Sequence, residues 1–410
     1  MRILLVNAFH YPRGGVERTY LDESRWLAAA GHEVAHLAVR DPRNLPSPTA
    51  AFFAPAVDYG ERVDAFEEPT RWTGVLWSRP AAAAMRRLLA AFRPEVAHLH
   101  APSRYLTPSV LRPLEAAGVP VVMTLHDFKP WCTNRIFFAR GAPCERCRGG
   151  RHYQALLTGC VQNSRLKSAV GMVEAYLHQR LDAYRAVRRW IAPSQFVREK
   201  AIEHGVPPAR LRVLSHGIER GTVADAPVAL PEEPYALFSG RLSVEKGVRL
   251  LPRIAARIAP APLLVVGDGP LWGELEAAAR TTANLRALGY RTDEELATLR
   301  RHAAAVVVPS LFYEHFGYAA AEAMLDARPV VAARIGALPE LVEHEVTGLL
   351  AAPGDAEGLG AALARALREP AATRWAAAGY ARVQALGDPG RHVEGLLAIY
   401  RDAIANPRAG

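Results

Sequence analysis

A chain of 410 residues, half of them hydrophobic and 22% charged, has a soluble globular composition and enough length for two domains with separate cores. No long uncharged apolar run is present, so no membrane-spanning helix is expected. Met1-Arg-Ile-Leu-Leu-Val6 opens directly as a strand without a secretion-signal pattern, which points to the cytoplasm. The net charge of +9 is uneven: residues 1–217 hold 30 Lys and Arg against 18 acids, residues 218–410 hold 20 against 23. A first half of that sign suits an anionic surface, such as the inner face of the plasma membrane, or an acidic acceptor; dispersed surface arginines explain it equally well. No nucleic-acid motif accompanies the basic charge, and no nucleic-acid partner is expected.

Short apolar runs alternating with amphipathic stretches predict α/β architecture with parallel sheets. Strands are predicted at Ile3–Asn7, Glu33–Ala38, Val96–Leu99, Val119–Thr124 and Arg189–Ala192. Helices are predicted at Val16–Ala30, ending at Gly31, and at Ala81–Ala91, Pro108–Ala117 and Ser164–Ala186. After the Pro-rich stretch Ala226–Pro234 a second series begins, with strands Tyr235–Ser239, Pro262–Val266, Leu285–Leu288, Ala305–Val308 and Pro329–Ala332. Its helices are Val248–Ile258, Leu271–Arg280, Thr292–His302 and Tyr318–Ala327. Two doubly wound, Rossmann-like domains, 1–217 and 218–388, are therefore expected to face each other across a cleft. The last helical stretch, Gly390–Ala405 within 389–410, is expected to cross back onto the first domain.

Candidate chemistry falls at the turns from strand to helix. Pro12-Arg-Gly14-Gly15 bares the backbone enough for a diphosphate or an acceptor to approach, and is also what a plain flexible turn looks like. His126, in Thr124-Leu-His126-Asp127, stands at a strand's carboxyl end, where it can hydrogen-bond a sugar hydroxyl or sit as a satisfied interior histidine. Gly240-Arg241-Leu-Ser-Val-Glu-Lys246-Gly247 puts two cations and two glycines in one loop, a good anion site, although a structural ion pair also accounts for one of the cations, less so for both. The Gly267-Asp-Gly269-Pro turn is a weaker signal, better suited to shaping a wall than to holding phosphate. Glu314 and Glu322 lie eight positions apart, one in the loop after Ala305–Val308 and one about a turn into the next helix. Two such carboxylates suit a polyhydroxylated ligand, although glutamates at a helix start are commonplace.

Taken together, these motifs resemble the retaining nucleotide-sugar glycosyltransferases of family 4, which have the GT-B fold. The resemblance rests on Gly14-Gly15, His126-Asp127, Pro193-Ser194, His216-Gly217-Ile218, Gly240-Arg241 with Lys246-Gly247, Gly267–Pro270, Glu314 with Glu322, and Gly336–Glu340 with Gly348-Leu349. It implies that Glu322 binds the ribose, that Glu314 and the backbone amides of Phe316 and Gly317 attend the transferred sugar, and that Arg241 and Lys246 neutralise the diphosphate opposite Gly15. It further implies that His126 contacts the sugar and that Gly289-Tyr290-Arg291 lies beside the base. His216 stands where many relatives carry Asn, and Ala337 replaces a common Gly. The expected donor is a UDP- or GDP-sugar and the expected acceptor a glycan or lipid-linked hydroxyl. No Asp-x-Asp motif is present, so catalysis without metal is expected, with protein cations stabilising the leaving group. An epimerase or phosphorylase of the same fold lacks a matching acid set or cofactor lysine here, and a non-catalytic scaffold would have had little reason to keep both cations and both glutamates.

All four cysteines, Cys132, Cys144, Cys147 and Cys160, fall in one segment, 128–163, which resembles an insertion found in part of that family. A central CxxC with two flanking cysteines makes structural zinc a candidate, beside two disulfides or free buried thiols. Six Lys and Arg against one acid in 128–151, with Trp131, Phe137 and Phe138, mark a flap expected to cover the acceptor or touch a membrane.

Overall fold

A computed structural model describes residues 1–56, 74–102, 104–220 and 226–406. They form two compact units, one of Met1–Phe137, Glu145–Gly217 and Pro389–Gly410, the other of Phe138–Cys144 and Ile218–Asp388. Strands β1 (Arg2–Val6), β2 (Glu33–Leu37), β3 (Val96–Leu99) and β4 (Val121–Thr124) precede a small hairpin, β5 (Phe138–Ala139) with β6 (Ala142–Pro143); β7 (Val187–Ala192) and β8 (Leu211–Val213) follow it. Apart from the hairpin, which belongs with the second unit, these strands make one parallel sheet in the order β2-β1-β3-β4-β7-β8.

One face of that sheet presents Ile3, Leu5, Val96, Val122 and Ile191. Helix Gly15–Ala29 covers it with Tyr20, Trp26 and Leu27, and the C-terminal helix Pro389–Ala405 adds Val393, Leu396, Ile399, Tyr400 and Ala403. That spacing is one apolar helix stripe, and each large side chain so buried contributes about 1.5–3 kcal/mol. Asp402 on the same helix clasps the buried guanidinium of Arg189 on β7, at 2.7 and 3.0 Å.

The second unit contains β9 (Ala236–Ser239), β10 (Leu263–Val266), β11 (Leu285–Gly289), β12 (Ala305–Val308), β13 (Val330–Ala333) and β14 (Leu349–Ala351), all parallel, in the order β11-β10-β9-β12-β13-β14. Alternate residues feed two separate cores: Leu237, Leu264, Val306 and Val330 on one face, Phe238, Val265, Val307 and Val331 on the other. Burial on both faces is why these strands read as continuous apolar runs. In each sheet the order reverses once, between β1 and β3 in the first and between β9 and β12 in the second. Loops at the carboxyl ends of such strands diverge, and open α/β sheets take their ligands there.

Several boundaries differ from expectation for identifiable reasons. The helix predicted over Ser164–Ala186 ends at Arg180, because Asp182 takes a left-handed conformation (φ 45°) and turns the chain. Strand β7 starts two residues early, its Arg188 and Arg189 having hidden a strand inside charge. The stretch Val248–Ile258 begins as a 3₁₀ turn, Val248–Leu250, and becomes an α-helix only at Leu251. Strands β8 and β14 and helices Gln195–Glu203, Ala356–Arg368 and Ala371–Gly387 were not foreseen: three-residue strands are too short to show a period, and alanine-rich helices show little contrast. Pro193-Ser194 has a local function, with Ser194 capping helix Gln195–Glu203 by accepting from the Val197 amide.

Candidate functional site

In the second unit the two loops that flank the switch point, Gly240–Gly247 after β9 and Pro309–Gly317 after β12, hold Lys246 and Glu314 against each other. Lys246 Nζ lies 2.7 Å from Glu314 Oε1, which also accepts from Ser310 Oγ at 2.7 Å. The Glu314 side chain is 10% exposed and that of Lys246 31%, so of the pair the lysine is the more open to solvent. It also sits 4.8 Å from the centre of the Phe312 ring, a cation–π approach. The backbones of the two loops are tied by Leu311 N–H donating to the Glu245 carbonyl at 2.8 Å. Gly247 (φ 76°) faces the Pro309 carbonyl so closely that a Cβ would collide with it. A buried carboxylate thus aims one cation outward, while Arg241 is exposed and makes no ion pair among the described residues.

Sequence reasoning set Lys246 and Glu314 at different ends of a donor; the structure joins them. It also places Lys246 in a 3₁₀ turn, Val244–Lys246, and the α-helix after this loop begins only at Leu251. Ser310 went unnoticed, since nothing in the sequence singles out one buried serine.

Glu314 is fixed from behind by the Gly336 loop. Gly336 has φ 59°, and a Cβ there would lie 2.5 Å from the Glu314 nitrogen and 2.6 Å from its carbonyl oxygen. Ala337 N–H donates to that carbonyl at 2.8 Å, and Ala337 itself is helical at φ −79°, a conformation that does not call for glycine. Gly317 (φ 92°) caps helix Tyr318–Leu325 with no room for a Cβ beside Leu338 Cδ2, at 2.7 Å. The Phe316 ring is buried in the core, which leaves its backbone, not its side chain, for a ligand.

Glu322, on the helix after that loop, takes Arg300 NH1 on Oε2 at 3.0 Å; Arg300 Nε also reaches Asp326 at 2.6 Å. Neither Arg300 nor Asp326 was singled out from sequence, because the contact spans more than 20 positions. Gly267 (φ 142°) and Gly269 (φ 157°) pack directly on the carbonyls of Gly240 and Leu242, so this turn supports the cation loop. Tyr290, 73% exposed, and Arg291, half-buried, follow β11, two strand spacings or about 10 Å from β9.

In the first unit, His126 follows β4 and is half-buried. Its Nε2 lies 3.0 Å from His100 Nδ1, and its ring stacks on His216 with centroids 5.1 Å apart and planes 11° off parallel. Behind it stand Glu23, His98, His392 and Tyr400, all buried and none foreseen. The available signal was His98-x-His100, a period of two that directs both imidazoles to one side of a strand. Burial, and then the nearby His392, holds His98 down to about 3; burial and four neighbouring histidines push His100 well below the usual range, so both are neutral at physiological pH.

Gly14 has extended backbone (φ −174°), and a Cβ there would meet only Glu17 Oε2 at an ordinary 3.6 Å. Neither conformation nor packing demands glycine at that position, so only the room a bare backbone leaves for a ligand argues for Gly14. Burial raises the Glu17 carboxyl above its usual range.

In the cysteine segment Cys132 is buried and donates to Asn134 Oδ1 at 2.9 Å, and burial, with Cys147 and Cys160 nearby, pushes its thiol up to about 12. Among the described residues the one set of potential metal ligands converging within 4.8 Å is Glu23, His98 and His100, which contains no cysteine. The expected aromatic flap is corrected: Phe137 and Phe138 are buried and Trp131 half-buried, with Phe137 stacked on Phe128 at 4.4 Å and on His204 at 4.9 Å. Phe137 and Phe138 therefore belong to a local core and not to an exposed flap.

Residues 13–221 match the family model described as Glycosyltransferase Family 4, and residues 233–369 the one described as Glycosyl transferases group 1. The chain is 30% identical to glycogen synthase of Mycobacterium tuberculosis over 91% of its own length and 88% of that protein's. Among solved structures it is similar to sucrose-phosphate synthase from Thermosynechococcus elongatus (TM-score 0.68, 21% identity, covering 98% of this chain and 99% of that one). It is equally similar to Anabaena HepE in complex with UDP-glucose (TM-score 0.68, 19% identity, 98% and 100% covered).

Proposed function

The chain belongs to glycosyltransferase family 4, with the GT-B fold, and from that premise we propose that it moves a hexosyl residue from a UDP- or GDP-sugar to a hydroxyl of a glycan or lipid-linked acceptor, retaining the anomeric configuration and needing no metal. The observation that carries this reading is the Lys246–Glu314–Ser310 cluster at the switch point between β9 and β12. A cation held there is preorganised for the charge that grows on a departing diphosphate. Arg241, exposed beside it, adds a second cation. The UDP-glucose bound to the Anabaena protein and the glucan-building activity named for the mycobacterial relative support a hexosyl donor.

The pairing also sharpens the role of Glu314. Its Oε1 is committed to Lys246 and Ser310, so the carboxylate holds the cation and is poorly placed to attack the anomeric carbon. Retention then follows from attack on the same face: the bond from the anomeric carbon to the phosphate oxygen breaks, the acceptor oxygen bonds to that carbon, and the acceptor proton passes to the departing phosphate. Glu322, oriented by Arg300, accepts the ribose hydroxyls. His126 contacts the transferred sugar. Glu322→Ala is accordingly expected to weaken nucleotide binding at least about tenfold with little change in kcat at saturation, as loss of a charged hydrogen bond does. His126→Ala is expected to lower kcat with the nucleotide Kd nearly unchanged. Calorimetric titration with UDP and GDP, beside transfer kinetics, checks both, and the opposite split would reject these assignments.

The surface suited to a lipid-linked acceptor is the helix pair Tyr153–Thr158 and Arg165–Arg180. It exposes Tyr153, Leu157, Leu166, Val173 and Tyr176, flanked by exposed Arg151, Arg165, Lys167 and Arg180. The one acid of the longer helix, Glu174, is buried and paired with Lys129 at 2.6 Å, so the exposed face is apolar and basic. Vesicles of phosphatidylglycerol with phosphatidylcholine should sediment the protein, those of phosphatidylcholine alone should not, and Leu157→Ser with Leu166→Ser should abolish the difference. Equal sedimentation by both vesicle types would reject an electrostatic contact.

A further inference from the structure

Behind His126 lies a buried carboxylate that the proposed transfer does not use. Glu23, 1% exposed on helix Gly15–Ala29, places Oε1 3.0 Å from His392 Nε2. His392 Nδ1 lies 2.8 Å from the Ser215 carbonyl oxygen. A carbonyl only accepts, so Nδ1 carries a proton; a second proton must then lie between His392 Nε2 and Glu23 Oε1, whether the pair is imidazolium with carboxylate or imidazole with acid. In either state Glu23 Oε2 bears no proton and can only accept.

Two imidazole nitrogens approach Oε2: His98 Nδ1 at 3.4 Å and His100 Nε2 at 3.5 Å. His98 has both nitrogens engaged elsewhere, by Tyr400 OH at 2.8 Å and Thr124 Oγ1 at 2.7 Å. His100 Nε2 and Glu23 Oε2 are buried and neither makes a hydrogen bond, so their 3.5 Å approach is a polar contact without hydrogen-bond geometry. A proton on His100 Nε2 makes their approach attractive, whereas a bare nitrogen would set two lone pairs against each other in a buried site. A neutral His100 protonated at Nε2 has a bare Nδ1, and that atom lies 3.0 Å from His126 Nε2. Two bare nitrogens cannot bond, so His126 carries its proton on Nε2 as well.

We propose that Glu23 is a positioning residue which, through His100, fixes His126 as the Nε2–H tautomer, so that His126 presents Nδ1 to the sugar as an acceptor and not as a donor. The functional consequence rests on the reading of His126 as the sugar-contacting histidine. The charged or titratable groups that bear on the relay are His98, His392 and Tyr400 around Glu23, and His216 and Asp127 beside His126. A buried carboxylate setting the tautomer of a working imidazole is the logic of hydrolase triads, in which the isosteric amide leaves the geometry and loses the rate.

The test is Glu23→Leu, which removes the acceptor facing His100 Nε2; Glu23→Gln does not serve, because its amide can donate to the bare Nε2 of a neutral His392 and keep its oxygen towards His100. In protein labelled with ¹⁵N-histidine, two- and three-bond ¹H–¹⁵N spectra should show His100 and His126 protonated at Nε2. In Glu23→Leu, His126 should lose its preference for Nε2–H while kcat falls at least about 100-fold and KM changes little. An Nδ1–H tautomer of His126 in the unaltered protein would overturn the proposal, as would an unchanged tautomer in the variant; the first needs no variant and decides the matter if Glu23→Leu does not fold. Stoichiometric zinc lost on Glu23→Leu would also overturn it, by making Glu23, His98 and His100 metal ligands. A tautomer change with transfer unaffected would uphold the relay and reject the sugar contact of His126 instead.

Discussion

Lys246→Ala is expected to lower kcat/KM for glycosyl transfer by about 100- to 1000-fold, the usual loss when one preorganised group facing transition-state charge is removed. The substitution also strands a buried carboxylate, since Glu314 would keep only the Ser310 hydroxyl. Stability and catalysis can be separated by adding Glu314→Gln, which removes the uncompensated charge. The double variant should regain thermal stability and remain as inactive as Lys246→Ala. Recovery of activity along with stability would mean that Lys246 serves only to neutralise Glu314, and the diphosphate role would be lost. Transfer rates and melting temperatures of the parent protein and the two variants decide it.

The second large effect concerns the C-terminal helix. Asp402→Ala is expected to destabilise the first unit by about 3 kcal/mol, because it leaves the guanidinium of Arg189, 1% exposed, without its carboxylate. Denaturant unfolding followed by circular dichroism measures this. Its pH dependence has a definite sign. Hydrogen bonding from Arg189, followed by Asn406 and the nearby arginines, holds the Asp402 carboxyl well below the usual carboxylate range in the folded protein. A depressed folded value gives stability that is fully present above the unfolded pKa of about 3.9 and lost as pH falls through the lower folded value. The gap between the parent protein and Asp402→Ala should therefore be constant near neutrality and narrow only below about pH 4. A gap that widens on acidification would contradict the ion pair.

The two sheets were legible because strands such as Ala305–Val308 are buried on both faces and stand out as unbroken apolar runs between helices. The loops that matter were legible for the same reason: a ligand site in this architecture lies at strand ends, and Gly240, Lys246 and Glu314 follow β9 and β12 directly. Pairings across the fold were not. Lys246 and Glu314 are 68 positions apart, and only the strand order that sets β9 beside β12 brings them to 2.7 Å. Glu23 looked like an ordinary acid on an amphipathic helix; its burial depends on a helix that begins more than 360 residues later. The aromatic residues of the cysteine segment were misread because clustered rings look alike in sequence whether they face one another or solvent.

The central claim is that the second unit binds a nucleoside diphosphate sugar through protein groups, with Lys246 at the diphosphate and Glu322 at the ribose. Calorimetric titration of UDP-, GDP- and ADP-glucose into the protein in EDTA tests it most directly. Saturable binding of a UDP- or GDP-sugar that survives EDTA and weakens in both Lys246→Ala and Glu322→Ala is the predicted result. Binding of none of the three by the folded protein, or binding that disappears with EDTA, would contradict the account.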